Sequence, residues 1–305
     1  MQRECGRGIG GVVSSLGQPS IPWSFGGLNA QESDPSLSQI VVIPVPYDST
    51  TSFRGGSREG PNAILNASRY LEDFDIELGK ETYLVGIHTT EEVEPHVGSP
   101  EQMMERVYGA VYPWASLGKI VSVLGGEHSI SIGSVRALAE IYPDLSVLYI
   151  DAHADMRDEY MGSKYSHACT ARRIMEICPL VPLGVRSMSK EEMDFVTSNN
   201  LKVHFGGEMN SSNNWDMESI LSSLSEKVYI SLDLDAMDLS LISGVGNPEP
   251  GGIDWNNMLG IIKAVSSEKR IVGFDLTELS PIDGSVASSF VAAKLAYKIM
   301  GYATP

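Results

Sequence analysis

The sequence predicts an α/β fold: a mainly parallel sheet of about eight strands with helices packed on both faces. Eight short apolar runs recur along the chain, each of strand length and without the alternation of a half-solvated strand. Stretches with helical periodicity separate them, which implies right-handed crossovers between parallel strands. No linker, composition shift or internal repeat divides residues 39–305, so one domain is expected there, preceded by a partly ordered arm over residues 1–38.

The arm is rich in Gly, Ser, Pro and Gln and has little periodicity. Its Gly6, Gly8 and Gly10 follow no strand and lack the spacing of a dinucleotide loop. The first strand is expected at 39–45, followed by a polar loop over 46–56 and a helix opened by Pro61. Further strands are expected at 83–87, 120–124, 146–150, 180–185, 202–205, 228–232 and 271–274. Helices are expected at 101–117, 130–141, 167–177, 190–197, 215–224, 255–265 and 286–300.

The charge balance narrows the partners. Lys+Arg total 22 against 39 Asp+Glu, a formal charge of -17, which argues against nucleic acid and anionic lipid and suits a cationic substrate. Three cysteines, Cys5, Cys169 and Cys178, do not make a disulfide framework, so a reducing, cytoplasmic setting is expected. No apolar run reaches the roughly 18 residues of a membrane span, and the N-terminus lacks the apolar core of a signal peptide.

In open α/β sheets ligands bind beyond the carboxyl ends of the strands, and four of those ends carry unusual chemistry. The run ending at Leu124 enters Gly125-Gly126-Glu127-His128-Ser129, where two glycines permit a sharp turn beneath His128. The run ending at Ile150 enters Asp151-Ala152-His153-Ala154-Asp155, whose alternate residues would share one side of an extended strand. A third run carries Asp233 and Asp235, acids that are costly in an apolar strand unless paired or coordinated. The last ends in Asp275-Leu276-Thr277-Glu278. Any one of these could be a turn former or a solvated side chain. Together they give His128, Asp151, His153, Asp155, Asp233 and Asp235, too many ligands for one tetrahedral zinc. Oxygen-rich ligation with some imidazole suits Mn²⁺, and bridging carboxylates suggest two ions about 3.5 to 4 Å apart. The chemistry expected is metal-assisted hydrolysis.

With GGEHS, DAHAD, SLDLDAMD, NPEPGG and GFDLTELSP in this order, and PYDSTTSFRGG and EGPNAI upstream, the chain resembles the ureohydrolase family of arginases and agmatinases over roughly residues 40–300. The resemblance implies a three-layer α/β/α fold, two manganese ions per chain and a homo-oligomer, a trimer or hexamer. It implies that His128, Asp151, Asp155 and Asp233 hold one ion, with His153, Asp151, Asp155, Asp233 and Asp235 about the other. Glu278 matches the family's guanidinium-binding glutamate, as a planar fork of donors requires. Asp155 would also orient the attacking hydroxide, and His167 matches the proton-shuttle histidine. The implied reaction is attack on the guanidinium carbon and collapse to urea and an amine, with agmatine giving putrescine.

Some positions depart from the common pattern. Glu127 stands where many relatives have Asp, Asn247 where a Thr is frequent, and Leu239 where a Pro follows the aspartate strand. Arg157, placed where arginases read the amino-acid end with small polar residues, is a poor neighbour for an α-ammonium unless Asp158 or Glu159 holds it away. Glu249 could meet a cationic tail or simply be solvated. Arginase or guanidinobutyrase activity, a two-metal phosphoesterase using Arg54, Arg157 or Arg186 for phosphate, and an inactive metal-bound scaffold are the competing readings.

Overall fold

The computed structural model describes residues 23–206 and 215–305. The strands are β1 (Ile40–Val45), β2 (Phe74–Asp75), β3 (Lys80–Glu81), β4 (Ile87–Thr89), β5 (Ile120–Gly125), β6 (Leu145–Ile150), β7 (Leu180–Val185), β8 (His204–Phe205), β9 (Lys227–Asp233) and β10 (Arg270–Thr277). The helices are α1 (Gly60–Ser68), α2 (Pro100–Ser116), α3 (Ser131–Ile141), α4 (Thr170–Met175), α5 (Lys190–Ser198), α6 (Met217–Ser223), α7 (Trp255–Glu268) and α8 (Ala287–Ala303). Eight strands form one parallel sheet in the order β4-β1-β5-β10-β9-β6-β7-β8, while β2 and β3 make a separate antiparallel pair.

The continuous apolar runs are explained by burial on both faces. One face of the sheet packs against Ile64 of α1, Ile220 of α6, Ile262 of α7 and Ala296 of α8. The other packs against Val107 of α2, Val135 of α3, Ile174 of α4 and Val196 of α5. Within β1 the alternation is visible: Ile40 and Val42 join the first layer, Val41, Ile43 and Val45 the second. The expected three-layer α/β/α architecture is the observed one.

Two strands are placed differently from the sequence expectation. Over 83–87 the chain first forms a 3-10 turn (Thr82–Val85), and the strand begins only at Ile87. Gly86 between them has φ +76°, a left-handed conformation that ends the turn and redirects the backbone. The strand expected at 202–205 shrinks to His204–Phe205 at the sheet edge. The described part of the N-terminal arm packs on the body, with Phe25 fully buried in the first apolar layer. The Gly6, Gly8 and Gly10 stretch and Cys5 lie outside the described residues. Cys169 and Cys178 are free and buried, and no described helix is long and apolar enough to cross a membrane.

Candidate metal centre

The four unusual strand ends belong to β5, β10, β9 and β6, which are consecutive in the sheet. Parallel pairing therefore sets their carboxyl ends side by side.

After β5 the chain passes Gly126, where an added Cβ would lie 1.9 Å from the Tyr47 carbonyl oxygen, so only glycine fits this crossing. The turn carries His128 inward to 1% exposure. Its Nδ1 lies 3.0 Å from Asp151 Oδ2, 3.3 Å from Asp233 Oδ2 and 3.6 Å from Asp155 Oδ2. Its Nε2 is 2.9 Å from Ser231 Oγ, which donates its own proton to Asp275 at 3.0 Å. Ser231 therefore accepts from Nε2–H, which leaves Nδ1 as the atom that faces the acids and could serve as a metal ligand there.

Residues 151–155 do not continue the strand, so alternation along a pleat is not what gathers them. β6 ends at Ile150, and the Asp151 carboxylate accepts the backbone N–H of His153 at 2.7 Å. Asp233 accepts from the N–H of Asp235 in the same way at 2.8 Å, at the start of a 3-10 turn over Leu234–Ala236. Both Asp-x-(His/Asp) pairs thus use an aspartate side chain that caps the residue two positions on. Asp155 has φ +52°, an unusual conformation for a non-glycine residue, and its carboxylate is held by Tyr149 Oη at 2.8 Å.

Among the described residues two ligand groups result: His128, Asp151 and Asp233 in one, and Asp151, His153 and Asp235 in the other. They share Asp151. In the second, His153 Nδ1 lies 2.9 Å from Asp235 Oδ2 and 3.7 Å from Asp151 Oδ1. Asp155 belongs to neither group but lies beside the first, and Asp233 falls only in the first.

The electrostatics explain why such a set wants cations. Burial, followed by repulsion from Asp151, raises Asp155 well above the usual carboxylate range; burial, then Asp235 and Asp151, does the same to Asp233. Burial and Asp151 also raise Asp235. Burial pushes Asp151 up as well, yet His128 and His153 outweigh it and hold the carboxyl below its ordinary value. Carboxylates this buried need positive charge among them, and divalent cations supply it.

The second ligand group opens on a cavity of about 270 Å³, which is also lined by Asp155, Asp233, Glu278 and His167. Glu278, at φ +63°, accepts the His128 backbone N–H at 2.8 Å. Burial, followed by repulsion from Glu127, pushes its carboxyl up to about 8. His167 is 8% exposed, and burial pushes its imidazole down to about 4, which leaves it neutral at neutral pH.

The structure also corrects the rim. Arg157 is engaged by neither Asp158 nor Glu159: its guanidinium lies over the Tyr160 ring at 4.9 Å, with Nε 4.0 Å from Glu192. Asp158 pairs with Arg173 and Lys164. Arg186 is committed to backbone carbonyls, donating to Asp235 at 2.7 Å, Glu249 at 2.9 Å and Pro250 at 3.0 Å, so it is not free for phosphate. Glu249 stands 3.8 Å from His153 Nε2. The sequence reading did not single out Glu192, a buried acid in the cavity wall, nor Tyr149. Glu192 could have been noticed through Ser189, since Ser-x-x-Glu is a helix capping box, and that box is formed. Tyr149 carries no such signal, because a tyrosine in an apolar strand reads as core.

The family model described as "Arginase family" matches residues 38–301. The chain belongs to the arginase family. It is a hydrolase acting on linear amidines, as the ureohydrolase motifs implied. It is 40% identical over 270 residues to N(1)-aminopropylagmatine ureohydrolase from Synechocystis sp., covering 86% of this chain and 88% of that protein. It is 32% identical over 271 residues to agmatinase from Pyrococcus horikoshii, covering 87% and 92%. The crystal structure of the agmatine ureohydrolase of Thermoplasma volcanium superposes with a TM-score of 0.81 at 31% identity, covering 95% and 96%.

Proposed function

We propose that this arginase-family hydrolase acts on the guanidino group of agmatine, releasing urea and leaving putrescine. The observation that carries the reading is the pair of acid–imidazole groups joined at Asp151 and opening on the cavity that Glu278 and His167 line. The donor set fits two divalent ions: His128, Asp151 and Asp233 would hold one, Asp151, His153 and Asp235 the other, with Asp155 completing the shell. Such a pair, manganese by its oxygen-rich ligands, would supply a hydroxide nucleophile near neutral pH and offset the charge of the clustered carboxylates.

The chain's own residues supply the rest. Glu278 accepts the guanidinium N–H fork; the permanently charged guanidinium favours its ionised form against the upward push of burial. Asp155, fixed by Tyr149, orients the nucleophile over the guanidinium carbon. His167, neutral in its pocket, carries a proton to the departing amine. Homo-oligomeric assembly and a cytoplasmic setting belong to the same reading, supported by the resemblance and by the cysteine usage.

A second reading, N(1)-aminopropylagmatine, is favoured by the 40% identical relatives that carry that name. Both substrates share the guanidinium and the four-carbon chain, and the longer one would leave spermidine. Neither brings a carboxylate to the rim, whereas arginine brings one into a cavity whose lining carries five acids against Arg157, a cation that Glu192 already faces. The test is urea release after Mn²⁺ loading, with agmatine, N(1)-aminopropylagmatine, arginine and 4-guanidinobutyrate in parallel. An amine-tailed substrate should exceed arginine by at least about a hundredfold in kcat/KM, or roughly 2.7 kcal/mol. If 4-guanidinobutyrate proves best, Arg157 reads the tail and the amine-tail assignment fails; if arginine wins, the rim argument fails.

A further inference from the structure

Three hydroxyls surround the His167 ring. Thr50 Oγ1 and Ser166 Oγ each stand 3.3 Å from Nδ1, and Ser52 Oγ stands 3.3 Å from Nε2. A threonine hydroxyl has one proton to give and lone pairs with which to receive. The Thr50 proton is already directed elsewhere, to Glu127 Oε1 at 2.6 Å. The same carboxylate takes the Thr50 backbone N–H at 2.6 Å and the Ser129 hydroxyl at 2.6 Å, so three donors converge on an acid with no exposure to solvent.

Toward His167, therefore, Thr50 Oγ1 presents only lone pairs. One receives the His167 backbone N–H at 3.0 Å, and the other faces Nδ1. A bare Nδ1 would set lone pair against lone pair in a buried place, whereas a protonated Nδ1 makes a hydrogen bond. Ser166 can receive as readily as give, so it shares that proton without opposing it.

We propose that the Glu127–Thr50 pair is a positioning device that holds His167 in the tautomer protonated at Nδ1, leaving Nε2, beside Ser52, as the atom that takes up and hands on protons. The functional consequence rests on the proposed reading of His167 as proton carrier; the tautomer itself does not. In that role Nε2 takes the proton shed by the attacking water and gives it to the departing amine nitrogen. The ring ends the turnover as it began, and no co-reactant beyond water is needed. With the proton on Nε2 instead, the basic atom would point at Thr50 and Ser166 and the acceptor for the water's proton would be missing.

Thr50→Val keeps the shape and removes the hydroxyl, and Thr50→Ser keeps the hydroxyl. The tautomer is read by long-range proton–nitrogen correlation on protein with labelled histidine, loaded with diamagnetic Zn²⁺, and His167→Asn assigns the signals. Wild type and Thr50→Ser should show a protonated Nδ1 and a bare Nε2 at neutral pH, and Thr50→Val a reversed or mixed pattern. In the Mn²⁺ enzyme, Thr50→Val should lower kcat by on the order of ten- to a hundredfold at unchanged KM, with Thr50→Ser recovering most of it. A wild-type proton on Nε2, or a Thr50→Val protein that keeps both the tautomer and kcat, overturns the proposal. If Thr50→Val does not fold, the wild-type spectrum still decides. Should the tautomer change as expected while His167→Asn retains full kcat, the positioning stands and the shuttle reading falls.

Discussion

Asp151 is the one candidate ligand common to both groups, and that gives it a distinct expected phenotype. Asp233→Asn and Asp235→Asn should each weaken one ion, whereas Asp151→Asn should weaken both. An ion held at about a hundred times its Kd stabilises the fold by about 2.7 kcal/mol, so two give roughly 5.4 kcal/mol. For a chain of this size that is a rise in Tm of roughly 10 °C over chelated protein. The Asp233 and Asp235 variants should keep about half of the rise and the Asp151 variant almost none. The comparison must be loaded against chelated protein for each variant, because removing a carboxylate from a buried cluster of acids also relieves repulsion in the chelated state. Melting with and without chelator, together with metal content after dialysis, gives both quantities. An Asp151→Asn protein that retains two ions, or whose chelator-dependent rise equals that of Asp235→Asn, would refute the shared-ligand geometry.

His167→Asn should lower kcat by roughly 10² to 10⁴-fold, read by steady-state urea release, and a variant with unaltered turnover at every pH would remove the histidine from the mechanism. The same residue has a stability signature in chelated protein. Burial holds its folded pKa at about 4 against 6.5 for a free imidazole, so the unfolded chain takes up the proton first and stability falls as pH drops from about 6.5 to about 4. His167→Asn should reduce that loss by up to about 3 kcal/mol, measured by denaturant unfolding at several pH values. Glu278→Gln places an amide where the guanidinium fork needs an acceptor; kcat/KM should fall by about 3 kcal/mol, on the order of a hundredfold, with metal content preserved. Gly126→Ala would drive a Cβ into the Tyr47 carbonyl, and should destabilise the fold by at least about 1–3 kcal/mol by chemical denaturation, whether or not metal is present.

The sequence by itself determined the fold class and named the candidate ligands of the centre. Apolar runs buried on both faces leave little choice but a parallel sheet, and an acid at the end of such a run is costly unless something binds it. That is why six candidate ligands could be named from local pattern. Only the tertiary structure decided how they meet. Glu278 lies 150 residues from His128 yet touches its backbone, because β5 and β10 are neighbours in the sheet, an order that no local pattern encodes. The gathering of Asp151 with His153, and of Asp233 with Asp235, comes from side-chain caps in turns and not from the strand pleat, a distinction invisible to alternation. Thr50 and Tyr149 read as loop and core residues, and only the contacts of the folded chain tie the one to His167 and the other to Asp155. Arg157 was legible as a charge at the rim, but its resting place over Tyr160 beside Glu192 depends on α5, a separate segment that packing brings to the same wall. Hydrophobic pattern is local and survives in one dimension; hydrogen-bond partners across the sheet are set by strand order and packing, which exist only once the chain has folded.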